Sequence, residues 1–105
     1  DDHTKNFSFR LKKEGKWELA PAYDICHAYR PGSDWVSQHA LSVNNKRKDI
    51  LKEDLLIIGE SIKCKKSGYI IEEIGEIVSR WREFAKEVEV NKTLANAIGA
   101  TLLRF

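Results

Sequence analysis

The sequence of 105 residues contains no methionine, only two cysteines and two prolines, and no long apolar segment. A disulfide framework or a zinc centre needs more cysteines at closer spacing than Cys26 and Cys64 provide, so we expect free thiols in a reducing cytoplasm. No apolar run approaches the ~20 residues of a membrane span, and no signal peptide is recognisable. The net charge of +2 is too small to indicate nucleic acid. We therefore predict a cytoplasmic domain without direct nucleic-acid or membrane contacts.

The first 24 residues predict a β-hairpin. Apolar residues alternate with polar ones on both sides of a polar, glycine-containing turn at 13–16, namely Phe7, Phe9 and Leu11 before it and Trp17 and Leu19 after it. This alternation is typical of half-buried strands, and Pro21 ends the second strand because it has no N–H to donate. Residues 25–49 are irregular, with one short strand-like piece at 40–43.

The second half of the sequence predicts three helices, over about 52–63, about 69–88 and from Asn91 onward. The first lacks a polar cap because Leu51 precedes it, whereas Ser67 is expected to cap the second. The second helix carries a continuous apolar stripe formed by Ile70, Ile74, Ile77, Trp81, Phe84 and Val88. A hairpin followed by a helical bundle is an α+β fold that is mainly α.

Three polar residues of the hairpin region suit chemistry on a phosphate. Asn6 and Asp24 each lie nine positions from Gly15, so antiparallel pairing should bring them together at the open end of the hairpin. An amide oxygen beside a carboxylate suits a hard cation such as Mg²⁺. Asp1 precedes them in the same segment, where it could orient a hydroxyl group and accept its proton. Taken alone, this spacing is also compatible with Asp and Asn side chains that merely cap turns.

The motifs that contain these residues resemble those of a known family. Residues 1–8 read D-D-H-T-K-N-F-S, and residues 19–24 read L-A-P-A-Y-D. Both resemble the HipA family of bacterial serine/threonine kinases, whose signature is close to D-x-H-x-K-N-F-S, a short hairpin and L-x-P-x-Y-D. The stretches 39–44, 54–56 and 81–85 also resemble the C-terminal region of that family. The resemblance therefore extends over essentially the whole chain.

This resemblance implies a role for each matched residue. Asp1 matches the catalytic Asp, Asn6 and Asp24 match the metal ligands, and His3 and Lys5 match positions that support the loop or approach phosphate. Family members use ATP and Mg²⁺ to phosphorylate a protein hydroxyl. They are typically toxins restrained by a small DNA-binding antitoxin. The metal Asp is followed by isoleucine and cysteine, which departs from the Phe-Gly of eukaryotic kinases but suits this family.

The sequence lacks the parts of a kinase that clamp the nucleotide. It contains no G-x-G-x-x-G, no recognisable strand lysine for the phosphates and no partner helix glutamate. We therefore expect the truncated C-terminal lobe of a protein-kinase-like fold, inactive alone. We treat residues 1–105 as one such subdomain, with the catalytic loop and metal-binding hairpin in 1–24, a connection in 25–49 and the helical bundle in 50–105.

Two other functions remain compatible with the sequence. In the first, the chain is a non-catalytic helical module that docks an antitoxin, a separate N-terminal lobe or a second copy of itself through the exposed lobe interface. In the second, Asp1, Asp2 and His3 form a hydrolytic metal site, or the three histidines His3, His27 and His39 bind a transition metal with a neighbouring Asp.

The remaining conspicuous residues have simpler interpretations. Tyr29 and Trp35 either have a structural role or line a groove for a substrate or partner. The basic residues at 46–48 and 63–66 are expected in solvated loops rather than against nucleic acid or an acidic partner. Three further aromatic residues are expected in the core, namely Trp17, Trp81 and Phe84.

Overall fold

A computed structural model describes residues 2–105, which form a hairpin followed by four helices. The prediction of an α+β fold that is mainly α is therefore confirmed. The chain divides into two compact units, the first ending at Ser42 and the second beginning at Val43. The predicted catalytic residue, Asp1, lies outside the described residues. None of the helices in the described part of the chain is long and apolar enough to cross a membrane. Cys26 and Cys64 are free thiols, as predicted.

The hairpin of the first unit consists of strands β1 (Phe9–Leu11) and β2 (Trp17–Leu19). They pair antiparallel with Phe9 opposite Leu19, so the hairpin is centred on residue 14. The turn is closed by the N–H of Gly15, which donates to the Lys12 carbonyl at 2.9 Å. Gly15 has φ of 75°, a conformation that glycine adopts without steric cost. The glycine-containing turn was therefore predicted correctly.

One face of this hairpin is apolar and open to solvent. Phe9 is 67% exposed and Trp17 is 64% exposed, so the prediction of half-buried strands and of a core position for Trp17 is wrong. The physical reason is that a two-stranded ribbon buries an apolar face only when a further layer packs against it. On the opposite face, Glu18 forms ion pairs with Arg10 and with Lys12.

The irregular segment contains a turn in place of the predicted strand at 40–43. Val43 and Lys46 form an isolated antiparallel bridge, with reciprocal backbone hydrogen bonds of 2.9 Å. Asn44 and Asn45 between them have φ of 49° and 62°, which reverses the chain before a strand can extend. Trp35, further upstream, is 86% exposed and has no core role.

The second unit contains four helices, which are α1 (Lys52–Ser61), α2 (Ser67–Ser79), α3 (Trp81–Glu87) and α4 (Lys92–Gly99). The single helix predicted over 69–88 is wrong, because the chain breaks at Arg80, whose ψ is 10° instead of about −42°.

A hydrogen bond on the far side of this break connects α3 with α4. The indole Nε1 of Trp81 donates to the Ala95 carbonyl at 2.8 Å. No Gly or Pro marks the break at Arg80. The prediction, which relied on the spacing of apolar residues, therefore continued the helix through this position.

The caps at the beginnings of the helices agree only in part with the predicted ones. Asn91 caps α4, since its Oδ1 accepts from the N–H groups of Thr93 and Leu94. Ser67 does not cap α2, because it already lies inside the helix and Lys66 occupies the cap position. Leu51 precedes α1 without a side-chain cap, as expected.

A buried carboxylate replaces the missing cap at α1. Asp54 is only 3% exposed, and its Oδ2 accepts from the Leu51 N–H at 2.9 Å. The Nζ of Lys46 lies 2.8 Å from the same oxygen, and the amide of Asn44 donates to Oδ1 at 2.8 Å. These hydrogen bonds, from Lys46 first, lower the pKa of Asp54 to about 2. The network ties the turn at 43–46 to the start of α1.

The apolar core of the second unit is small. Among residues 2–105, Ile50 and Ala85 are the buried apolar residues. The apolar stripe of the predicted second helix is largely open to solvent, with Ile74 54%, Val88 72% and Phe84 37% exposed. The prediction of a core position for Phe84 is therefore wrong. Periodicity identifies an apolar helix face, but only the surrounding elements determine whether that face is covered.

Candidate functional site

The segment before β1 is a short turn that places Lys5 and Asn6 side by side. Residues Thr4–Asn6 form a 3₁₀ turn, in which the N–H of Asn6 donates to the His3 carbonyl at 3.0 Å. The hydroxyl of Tyr23 donates to the Lys5 carbonyl at 2.5 Å. Because Tyr23 follows β2, this bond holds the turn against the far strand of the hairpin.

The predicted meeting of Asn6 and Asp24 is confirmed. The Nδ2 of Asn6 donates to Oδ2 of Asp24 at 3.0 Å and lies 3.4 Å from the Asp24 carbonyl oxygen. The strand register differs from the predicted one by two residues, since pairing is centred on residue 14 and not on Gly15. Regular pairing would therefore place Asn6 opposite Ala22. Beyond Pro21 the chain no longer pairs with β1. The side chains of Asn6 and Asp24 therefore bridge the two-residue difference in register.

Asp24 has an uncommon backbone conformation for a residue with a side chain. Its φ is 54°, in the left-handed region that only Asn, Asp and Gly adopt with some frequency. The thiol of Cys26 lies 4.0 Å from Oδ1 of Asp24. Residues in this region often mark functional sites because the surrounding structure must hold them there. The hydrogen bond to Asn6 supplies part of that restraint.

The polar atoms of this pair fit a magnesium ion better than a transition metal. No group of three or more His, Cys, Asp or Glu side chains in residues 2–105 could hold a metal ion, so the set of His3, His27 and His39 with Asp2 is not assembled. Mg²⁺ needs only one or two protein oxygens, because it keeps several waters and substrate phosphates. Asp24 offers an exposed carboxylate. Asn6 presents its amide nitrogen to this carboxylate, so the amide must rotate before Oδ1 can serve as a second ligand.

The other two predicted site residues lie in the same turn. Lys5 is exposed and His3 is half-buried. The backbone of both residues takes part in the hydrogen bonds that shape the turn. Their assignment to nucleotide phosphate remains a prediction.

A further polar contact near the motif was not predicted from the sequence. The Nδ1 of His39 lies 3.2 Å from Oδ2 of Asp2, and the Ala40 N–H donates to Oδ1 of Asp2 at 2.8 Å. Partial burial of Asp2 raises its pKa, but the backbone hydrogen bonds from Ala40 and from Asp2 itself, together with the attraction of His39, outweigh this effect and lower the pKa below the ordinary value. The two segments are 38 positions apart, and no sequence pattern signals that they meet.

Comparison with known proteins agrees with the motifs. No curated protein and no solved structure matches the chain significantly. The family model described as HipA-like C-terminal domain matches residues 1–104. The match includes the turn with Asn6 and the hairpin end with Asp24, as well as all four helices. The chain therefore belongs to the HipA-like C-terminal domain family.

Proposed function

We propose that this chain carries the catalytic loop and the metal-binding residues of a HipA-like serine/threonine kinase, which transfers the γ-phosphoryl group of ATP to a protein hydroxyl. The observation that carries the proposal is the 3.0 Å hydrogen bond between Asn6 and Asp24. It brings together the two residues that the family motif assigns to one cation. A protein substrate and an antitoxin are the partners that this function implies, and the cytoplasm is its location.

Each residue of the motif has a separate role in this proposal. Asp1 orients the substrate hydroxyl and accepts its proton as the oxygen attacks the γ-phosphorus, while the bond to the ADP oxygen breaks. Asp24, with Asn6 after rotation of its amide, would hold Mg²⁺. The bound ion would supply electrostatic stabilisation of charge on the phosphoryl oxygens. His3 and Lys5 lie in the turn next to Asn6, where they can support the loop or approach phosphate.

Transfer and nucleotide binding test this proposal separately. In the full-length gene product, Asp1→Asn should abolish transfer of label from γ-labelled ATP to protein, with an unchanged thermal transition. Calorimetry should show ATP binding that requires Mg²⁺ and is lost in Asp24→Ala. Full transfer by Asp1→Asn would contradict the catalytic assignment. A collapsed thermal transition in that variant would show that Asp1 is structural.

A docking module is the second candidate function, and the exposure of the apolar faces favours it. Phe9 and Trp17 on the hairpin and Ile74 on α2 are each more than half exposed. Apolar patches of this kind commonly mark protein–protein contacts. Self-association is the simplest form, and light scattering at increasing concentration measures it. A concentration-dependent dimer that Ile74→Glu dissociates would support docking through α2, whereas a monomer at all concentrations would count against self-association.

A further inference from the structure

The carboxylate of Asp2 makes two different contacts with a distant segment of the first unit. Oδ1 accepts from the backbone N–H of Ala40 at 2.8 Å, while Oδ2 faces the imidazole Nδ1 of His39 at 3.2 Å. Each carboxylate oxygen therefore has its own partner, and the two partners are consecutive residues. Two contacts fix both the position and the rotation of a carboxylate, whereas one contact would leave it free to turn.

The residue held by these two contacts, Asp2, is the direct sequence neighbour of Asp1, which begins the motif. Asp2 is covalently joined to Asp1, and consecutive Cα atoms are about 3.8 Å apart. At the other end of the same segment, the Tyr23 hydroxyl holds the Lys5 carbonyl and Asp24 holds Asn6. The contacts of Asp2 add a restraint at the beginning of the segment. Transfer depends steeply on the placement of the reacting groups, because a misplacement of about 1 Å can cost about 100-fold in rate.

We propose that His39 is a positioning residue, which holds Asp2 and thereby places Asp1 for reaction with the substrate hydroxyl. This inference rests on the proposed kinase function. In this proposal His39 acts through its contact with Asp2. The backbone N–H of Ala40 would hold one carboxylate oxygen whatever the side chains of residues 39 and 40 are. The imidazole supplies the contact to the second oxygen, and that contact is the one a substitution can remove.

The test uses the full-length gene product and five variants, one of which is Asp2→Ala alone. His39→Ala removes the contact to Oδ2 of Asp2. His39→Asn restores a donor, because the amide nitrogen of Asn is as many bonds from the backbone as Nδ1 of His. Gln38→Ala is the control, since Gln38 is an exposed residue beside His39 in the same unit. The double variant Asp2→Ala/His39→Ala shows whether both residues act through one contact.

We expect kcat for phosphoryl transfer to fall about 10- to 100-fold in His39→Ala, with an unchanged KM for ATP. His39→Asn should recover most of the loss, and Gln38→Ala should behave as wild type. The double variant should be no slower than Asp2→Ala alone. Hydrogen exchange at the Ala40 N–H should accelerate in Asp2→Ala, because this N–H donates to Oδ1 of Asp2 in the wild type. This measurement follows the contact between Asp2 and Ala40 independently of activity.

Several results would overturn the proposal. Wild-type kcat in His39→Ala would exclude a positioning role, as would a His39→Asn variant as slow as His39→Ala. Unchanged hydrogen exchange at Ala40 in Asp2→Ala would show that the contact between Asp2 and Ala40 does not form. Failure of the proposed function has a different signature, because Asp1→Asn would then retain transfer. An inactive Asp1→Asn together with a fully active His39→Ala would therefore reject the role of His39 alone.

Discussion

The amide nitrogen of Asn6 lies 3.0 Å from Oδ2 of Asp24, and this hydrogen bond closes the open end of the hairpin. Asn6 precedes β1 and Asp24 follows β2, so each residue enters the site from a different strand. The carboxylate that accepts the bond is exposed and can be reached by ligands. This geometry needs both strands, because neither segment alone holds the two side chains together.

The charge of Asp24 can be tested without disturbing its backbone. Asn tolerates the φ of 54° observed at this position, so Asp24→Asn removes the charge and keeps the fold. We expect Mg²⁺-dependent ATP binding by the full-length gene product to be lost, with a change in stability within about 0.5 kcal/mol. Calorimetry and thermal melting measure the two effects. Asp34→Asn, at an exposed carboxylate of the same unit, should bind as wild type. Binding retained in Asp24→Asn would show that the cation does not need this carboxylate.

The buried Asp54 predicts a loss of stability in acid. Its pKa is about 2 in the folded chain, below the ordinary value of 3.8. Because the pKa is lowered by folding, the ionised carboxylate of Asp54 stabilises the folded chain. This stabilisation is complete above about pH 4 and disappears as the pH falls toward 2. Asp54→Asn should lower Tm at neutral pH and flatten the decrease of Tm between pH 4 and 2.

The matched control for Asp54 is Asp49→Asn. Asp49 is exposed and has φ of 51°, which Asn also tolerates. This control should retain the Tm of the wild-type chain and its decrease in acid. An Asp54→Asn variant with the same pH profile as the wild type would contradict the stabilising role of the buried network.

Two helical glycines should respond in opposite directions to alanine. A Cβ on Gly59 of α1 would lie 2.4 Å from the Cβ of Ser67, so Gly59→Ala should destabilise by about 1–3 kcal/mol. A Cβ on Gly75 of α2 would meet no atom within 4 Å, so Gly75→Ala should stabilise by about 0.5–1 kcal/mol. Urea unfolding measures both. The double variant Gly59→Ala/Ser67→Gly should recover part of the loss, and equal effects at the two glycines would refute the close approach of α1 to α2.

The cap of α4 offers a test of local stability. Oδ1 of Asn91 accepts from the Thr93 N–H at 2.9 Å, so Asn91→Ala leaves this donor without its partner. We expect a loss of about 1 kcal/mol, which corresponds to roughly 4–8 °C in Tm for a domain of this size. Asn91→Ser keeps an acceptor and should lose much less. Similar melting of the Ala and Ser variants would mean that the cap does not limit stability.

Local patterns in the sequence predicted the features that neighbouring residues decide. The alternation around Gly15 gave the hairpin, because glycine there adopts positive φ and the flanking residues favour strands. Asn91 marked the start of α4, since its side chain satisfies N–H groups two and three residues later. The convergence of Asn6 and Asp24 followed from antiparallel pairing even though the register was wrong by two residues.

The tertiary structure decided the features that depend on distant partners. The break at Arg80 carries no local signal and precedes Trp81, whose indole bonds to Ala95, 14 residues away. Asp2 finds its partners 37 and 38 positions along the chain, and no periodicity encodes such a pairing. The apolar stripe of α2 was visible in the sequence, but its exposure was not. A helix face is buried only when another element covers it, and periodicity within one helix contains no information about its neighbours.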